Sequence, residues 1–243
     1  MYICRRNLIK RMACILNIET STSVCSVALS DNGKVMFEKA SFEGPSHAAL
    51  LGVFVEESLS VLKEQGRKPD AIAVSSGPGS YTGLRIGVSV AKGLCFGYDI
   101  PLIGIHTLDI MAATAIKRNG GDEDCLYCSM LDARRMEVYA AIYDANLNIV
   151  RETSADIVDV DTYASYLEKG KVCFFGNGAG KCKEVISSEN AVFIDDIHPL
   201  AVNMIPLSEN AFVGGKMENV AYFEPFYLKE FQATIAKNKV LGK

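Results

Sequence analysis

The run Ser75-Ser76-Gly77-Pro78-Gly79-Ser80-Tyr81-Thr82-Gly83-Leu84-Arg85-Ile86-Gly87 follows the apolar stretch Ala71 to Val74 and opens a helical periodicity that lasts to about Gly97. Strand, glycine turn and helix in that order build a loop whose backbone can approach another group closely, because Gly77 and Gly79 carry no Cβ. The first N–H groups of the helix suit an anion or a carbonyl. The spacing is not a Walker A motif, since no Gly-Lys-Ser/Thr follows, and it is not the dinucleotide fingerprint. It predicts close approach and leaves the ligand open. A second glycine cluster, Gly176-Asn177-Gly178-Ala179-Gly180 before Lys181, also falls short of a P-loop. Gly176 and Gly180 enclose three residues where the motif has four, and Cys182 takes the Ser/Thr place.

The other reactive side chains read as structural. His47 has Leu51 one turn on and His198 precedes Pro199, so neither has a partner at metal-ligand spacing. Cys125 and Cys128 have redox spacing in a strand pattern, where side chains three apart point to opposite faces, so core cysteines are expected. Asp132, Arg134 and Glu137 form a trio on paper and fit a turn with structural ion pairs.

These residues need elements to hold them. Cys14–Ile18 and Val24–Leu29 read as strands around the polar turn Glu19-Thr20-Ser21-Thr22-Ser23, and Asp31-Asn32-Gly33-Lys34 is a hairpin turn into Val35–Phe42. A helix follows from about Ser46, as its cap, to Gln65, stopped by Gly66. Strand Ala71–Ser75, the glycine loop, its helix, strand Ile100–Ile105 and a helix from Thr107 to about Lys117 complete the first series. The second contains strands Leu126–Leu131, Glu137–Tyr143 and Asn146–Arg151, a helix Asp161–Lys169, and strand Val172–Phe175. Two such series predict two duplicated α/β domains with mixed sheets, residues 12–106 and 107–243, the last segment packing back on the first.

The chain has 243 residues, 49% of them hydrophobic and 22% charged, as in an ordinary globular protein. No apolar run reaches the ~18 residues of a membrane span. Met1–Arg11 reads as an extension from an upstream start, with Met12 the other candidate. Eight cysteines without a framework fit reduced thiols in a cytoplasmic protein. Net charge is −4, and 21 basic against 29 acidic residues, −8, without the four basic residues of the extension. That balance argues against a chain that holds nucleic acid by itself.

Several blocks taken in order resemble the TsaB (YeaZ) family of bacterial tRNA threonylcarbamoyladenosine biosynthesis proteins. They are Ile15-Leu16-Asn17-Ile18-Glu19-Thr20-Ser21 with Cys25-Ser26-Val27-Ala28-Leu29, the glycine run through Val88, and Ala91-Lys92-Gly93-Leu94. Pro101–Ile105, Asp132-Ala133-Arg134 with Glu137-Val138-Tyr139, and Pro225-Phe226-Tyr227-Leu228-Lys229 continue the match. It covers about residues 12–229. Glu19 departs from the usual Asp, and residues 183–216 match nothing recognisable. The resemblance implies an actin/sugar-kinase/Hsp70-like fold and a non-catalytic scaffold subunit. That subunit pairs with a TsaD-like catalytic subunit, works with a TsaE-like ATPase, reaches tRNA indirectly, and forms a homodimer when alone.

The resemblance also bears on chemistry. In the catalytic sister family two metal-binding histidines stand four residues apart on the helix after the strand like Pro101–Ile105. The matching positions here are Thr107 and Met111, poor ligands, and His106 is out of register by roughly 100°. No metal is expected. In actin-like folds the turn like Glu19-Thr20-Ser21 holds phosphates, but here it lacks glycine, so at most a vestigial phosphate turn with weak nucleotide binding is expected. The alternative is a stand-alone actin-fold ATPase or kinase.

The two long first-half helices suggest the partner surface. The Gly83–Gly97 helix is apolar almost all round, with Arg85, Ser89 and Lys92 as one narrow polar stripe, where one apolar face would suffice against a sheet. Each of its glycines disfavours a helix interior by up to ~1 kcal/mol relative to Ala, which makes sense where another backbone packs close. On the residues alone, these helices either cover each other and the sheet or form part of a subunit interface. The resemblance implies the interface, with Leu50, Phe54, Val61, Gly83, Gly87, Val90 and Leu94 as its expected residues. Gly87→Leu is expected to break partner binding more than the fold.

Overall fold

A computed structural model describes residues 13–44 and 47–229. The extension Met1–Arg11 and the cap expected at Ser46 lie outside the described residues.

The first sheet contains β1 (Cys14–Glu19), β2 (Cys25–Asp31), β3 (Lys34–Ser41), β4 (Ala71–Gly77) and β5 (Leu102–His106) in the order β3-β2-β1-β4-β5. Asn32 and Gly33 take left-handed angles, φ 57° and 72°, which close the β2–β3 hairpin as their residue types demand. β1 pairs antiparallel with β2 and parallel with β4, and β4 is parallel to β5. Helices α1 (His47–Lys63) and α2 (Tyr81–Tyr98) cover one face. There Leu16, Ile18, Val27, Leu29, Ile72 and Val74 meet Leu51, Phe54, Val55, Leu62, Val88 and Ala91.

The second sheet repeats the scheme. β6 (Cys125–Asp132), β7 (Glu137–Tyr143), β8 (Ile149–Ile157), β9 (Lys171–Phe175) and β10 (Ala191–Ile194) run in the order β8-β7-β6-β9-β10. Three antiparallel strands are again extended by two parallel ones. Two copies of one mixed-sheet unit give the actin/sugar-kinase/Hsp70-like architecture.

Helix α3 (Thr107–Arg118) joins the units. Its Leu108, Met111, Ala112 and Ala115 pack with Tyr127, Tyr143 and Phe175 of the second sheet, while Ile110 packs with Ile15 and Ile103 of the first. After β10 the chain returns. Helix α5 (Ala201–Val213) lays Met204 and Ile205 on the first sheet, and Ser208 Oγ donates to buried Asn17 Oδ1 at 2.7 Å.

Three expectations are corrected, and two elements are new. β8 runs on to Ile157, past the polar Arg151–Ser154, because it is an edge strand with solvent on one side and an Arg151–Asp156 ion pair along it. The helix expected over 161–169 is the single turn α4 (Ala164–Leu167). Neither β10 nor α5 was legible: β10 has four residues, and α5 carries Pro206, which argues against a helix interior. Reduced thiols throughout were expected, yet Cys125 and Cys173, on adjacent strands with Cα atoms 6.5 Å apart, form a disulfide. Cys14, Cys25, Cys95, Cys128 and Cys182 are free and buried.

Candidate functional site

The close approach promised by the glycine loop is made to the chain's own β1–β2 turn. Ser80 N–H donates to Ser21 O at 2.6 Å, Thr20 Oγ1 donates to Gly83 O at 2.8 Å, and Ser80 Oγ caps α2 by accepting from Gly83 N–H. A Cβ on Gly79 would stand 2.3 Å from Ser21 O, and one on Gly83 2.1 Å from Thr20 O. On Gly87 it would meet Thr20 Oγ1 at 2.2 Å. These glycines are spaced so that the end of β4 and the start of α2 can clamp residues 20 and 21.

Glu19, Thr20 and Ser21 are buried inside that clamp. Glu19 Oε1 accepts the Ser21 N–H at 2.5 Å, and Oε2 has no partner among the described residues. Loss of hydration outweighs the hydrogen bonds that the carboxyl receives and pushes it up to about 7, so it carries a proton at mildly acidic pH. A turn whose Ser21 N–H faces its own carboxyl, and whose Ser21 carbonyl faces the start of α2, offers little to a phosphate.

The other candidates hold one another. Lys181 forms an ion pair with Asp132 and donates to Glu137 O at 2.6 Å, so the lysine after the second glycine cluster closes the β6–β7 turn. Gly176, at φ 100°, lets the loop pass Met130 O and the Met111 methyl, both within 2.3 Å of where its Cβ would be. Met111 and Thr107 are fully buried at the start of α3. Among the described residues no group of three His, Cys, Asp or Glu side chains is placed to hold a metal ion. His106 is exposed and stands edge-on to Phe226, His47 is buried with Nε2 3.2 Å from Val24 O, and His198 lies edge-on to Phe42.

The helices carry the remaining feature, and three of the seven residues expected at an interface prove to be buried within the chain. Gly83, Gly87 and Phe54 face inward and are buried. Leu50, Val61, Val90 and Leu94 are half-buried against the first core. The outward face belongs to residues the apolar pattern did not single out. Phe96 is 87% exposed and Val53 47%, while Cβ atoms on Gly52, Gly93 and Gly97 would meet nothing within 4 Å. Small size at these positions was the available signal, but sequence periodicity gives no means of telling which glycines point out.

A tRNA threonylcarbamoyladenosine biosynthesis protein TsaB of Escherichia coli is 32% identical over 237 residues, which span 94% of this chain and 99% of that protein. The chain belongs to the TsaB family. The Bacillus subtilis TsaB is 30% identical over 225 residues, covering 90% and 95% of the two chains. Residues 41–237 match the model of the TsaD family, described as tRNA N6-adenosine threonylcarbamoyltransferase. In three dimensions the chain is similar to YeaZ from Pseudomonas aeruginosa, with a TM-score of 0.74, 27% identity and coverage of 89% of this chain and all of that one. TsaB membership therefore comes with the fold of a transferase family. In this chain, however, Thr107 and Met111 fill the start of α3, and α2 closes on the β1–β2 turn.

Proposed function

We propose that the chain works in tRNA threonylcarbamoyladenosine biosynthesis as a non-catalytic scaffold that docks a TsaD-like catalytic subunit on the outer face of α1 and α2. The observation that carries this reading is Phe96, almost wholly exposed and flanked in sequence by Gly93 and Gly97, which have open space above them. A large wet aromatic on a face of small residues is the arrangement that lets a second pair of helices approach closely and cover it. A sister subunit built on the same fold has a matching pair of helices to offer. In the absence of that partner the same face pairs with a second copy. A TsaE-like ATPase joins the assembly, and tRNA is reached through the catalytic partner. In this reading Glu19–Ser21 holds no nucleotide, because the Ser21 N–H is taken by Glu19 and the Ser21 carbonyl by Ser80.

Co-purification of the tagged full chain from cells tests the pairing. Recovery of a TsaD-like protein with wild type, and its loss with Phe96→Asp at unchanged Tm, is the expected result. Magnesium-dependent ATP turnover by the purified chain alone, abolished by Glu19→Ala, would overturn the scaffold reading in favour of a stand-alone ATPase.

A further inference from the structure

After α5 the chain does not simply end on the surface. Glu218 N–H donates to Leu102 O at 2.8 Å, so the segment pairs by one bridge with β5, the open edge of the first sheet. It then runs along α2 in the opposite direction to the helix. Lys92 Nζ donates to Ala221 O and Phe223 O, both at 3.1 Å, and further on the Tyr227 ring lies 4.7 Å from that of Tyr81, over which Arg85 stands. The polar stripe of α2 is thus partly occupied by the chain's own tail.

Two glycines shape the body to receive this tail. A Cβ on Gly77, at φ 108°, would stand 2.7 Å from Phe226 O, and one on Gly104 3.0 Å from the Phe223 ring. Phe226 N–H donates to Ser76 O at 2.6 Å, and its ring meets His106 at 5.4 Å. Phe226 therefore sits at the carboxyl ends of β4 and β5, the crevice where open α/β sheets receive ligands. Lys229 then reaches Glu137 at the start of β7 and forms an ion pair with the second unit.

We propose that residues 218–229 are a releasable latch. They occupy the carboxyl-end crevice of the first sheet with Phe226 and tie the second unit to the first through Lys229 and Glu137. The way the segment is held supports release as one piece. It has no helix or strand, and Ala221, Tyr222, Glu224, Phe226 and Lys229 are exposed. Its attachments to the body are a few separable bonds and half-buried Val220 and Phe223. Segments with few apolar contacts and exposed hydrogen bonds open at a fraction of the global unfolding free energy. A ligand or partner segment approaching the ends of β4 and β5 must displace Phe226.

Native-state hydrogen exchange on the full chain tests the latch without any partner. The amides of Glu218 and Phe226 should exchange together, at least about 10-fold faster than those of β4. Lys92→Met, which removes both bonds from Lys92 and keeps its aliphatic stem, should speed both amides by a further factor of about 10 and leave β4 unchanged. Lys229→Glu, an exposed change that sets like charges against each other, should speed Phe226 and shift the His106 ring signals as the Phe226 ring leaves. Exchange of Glu218 and Phe226 only at the β4 rate would overturn the proposal, because the segment would then be part of the core. A response of Glu218 without Phe226 in Lys92→Met would overturn it as well, since the segment would not move as a unit. Should Lys92→Met fail to fold, Lys229→Glu decides: unchanged exchange and ring signals reject the latch.

Discussion

Helix α2 contains two pairs of glycines, each four residues apart, and they do opposite things. Gly83 and Gly87 lie against Thr20 with no room for a methyl group, whereas Gly93 and Gly97 face open space. At ~100° per residue the two pairs differ by only about 80° around the helix axis. The β1–β2 turn crosses the amino-terminal half of the helix and stops short of the rest. The same residue type thus marks a close approach within the chain at one end of the helix and open space at the other. A glycine in a helix interior does not by itself show that a backbone comes near; the neighbouring elements decide that.

The sharpest way to break this comparison is Gly87→Leu. The side chain would collide with Thr20 inside the clamp, so we expect an insoluble chain or a loss above about 3 kcal/mol in denaturant unfolding. A near-normal midpoint would mean that the helix faces have been misassigned. Next is the turn on which the inner glycines rest. The Glu19 carboxyl sits at about 7 in the folded chain against an ordinary 4.5. The folded state therefore holds the proton more tightly than the unfolded state. Its contribution to stability is greatest below about pH 4.5, declines as pH rises toward 7, and is level above. The whole change is about 3 kcal/mol, and Glu19→Gln should flatten it when unfolding midpoints are compared from pH 5 to pH 8.

At the outer end the effects fall on association. Phe96→Asp should weaken self-association and capture of the catalytic partner by about 2 kcal/mol or more, roughly 30-fold, with Tm unchanged. Sedimentation reads the first and co-purification the second; a stable dimer of the variant would place the partner face elsewhere. The smallest effect sharpens the contrast most. Gly93→Ala should raise the stability of the isolated chain by about 0.5–1 kcal/mol, because an alanine there meets nothing and favours the helix. Gly83→Ala should lower it, since its Cβ would press on Thr20 O. Opposite signs for one substitution ten residues apart on one helix would be hard to obtain any other way.

Local signals in this chain were readable where the physics is local. Asn32-Gly33 has the left-handed angles its types require, Ser80 caps α2, and the apolar runs became β1, β2, β4 and β6. Readings that failed depended on distant residues. Cys125 meets Cys173 because β6 and β9 are neighbours, 48 positions apart in sequence. Helix α5 forms despite Pro206 because Met204 and Ile205 have a sheet to cover, and tertiary burial outweighs a weak local preference. The polar middle of β8, Arg151–Ser154, is tolerated because that strand lies at an edge.

By itself the sequence determined the duplicated mixed-sheet fold and the family. Each follows from residue types and spacings that are complete within one stretch of chain. The tertiary structure alone decided which face of α2 meets the β1–β2 turn, that Glu19, Thr20 and Ser21 are buried, and that the tail returns to Ser76 and Glu137. Those outcomes turn on whether a neighbour is present within a few ångströms, and periodicity of 3.6 residues says which side chains share a face without saying what stands opposite.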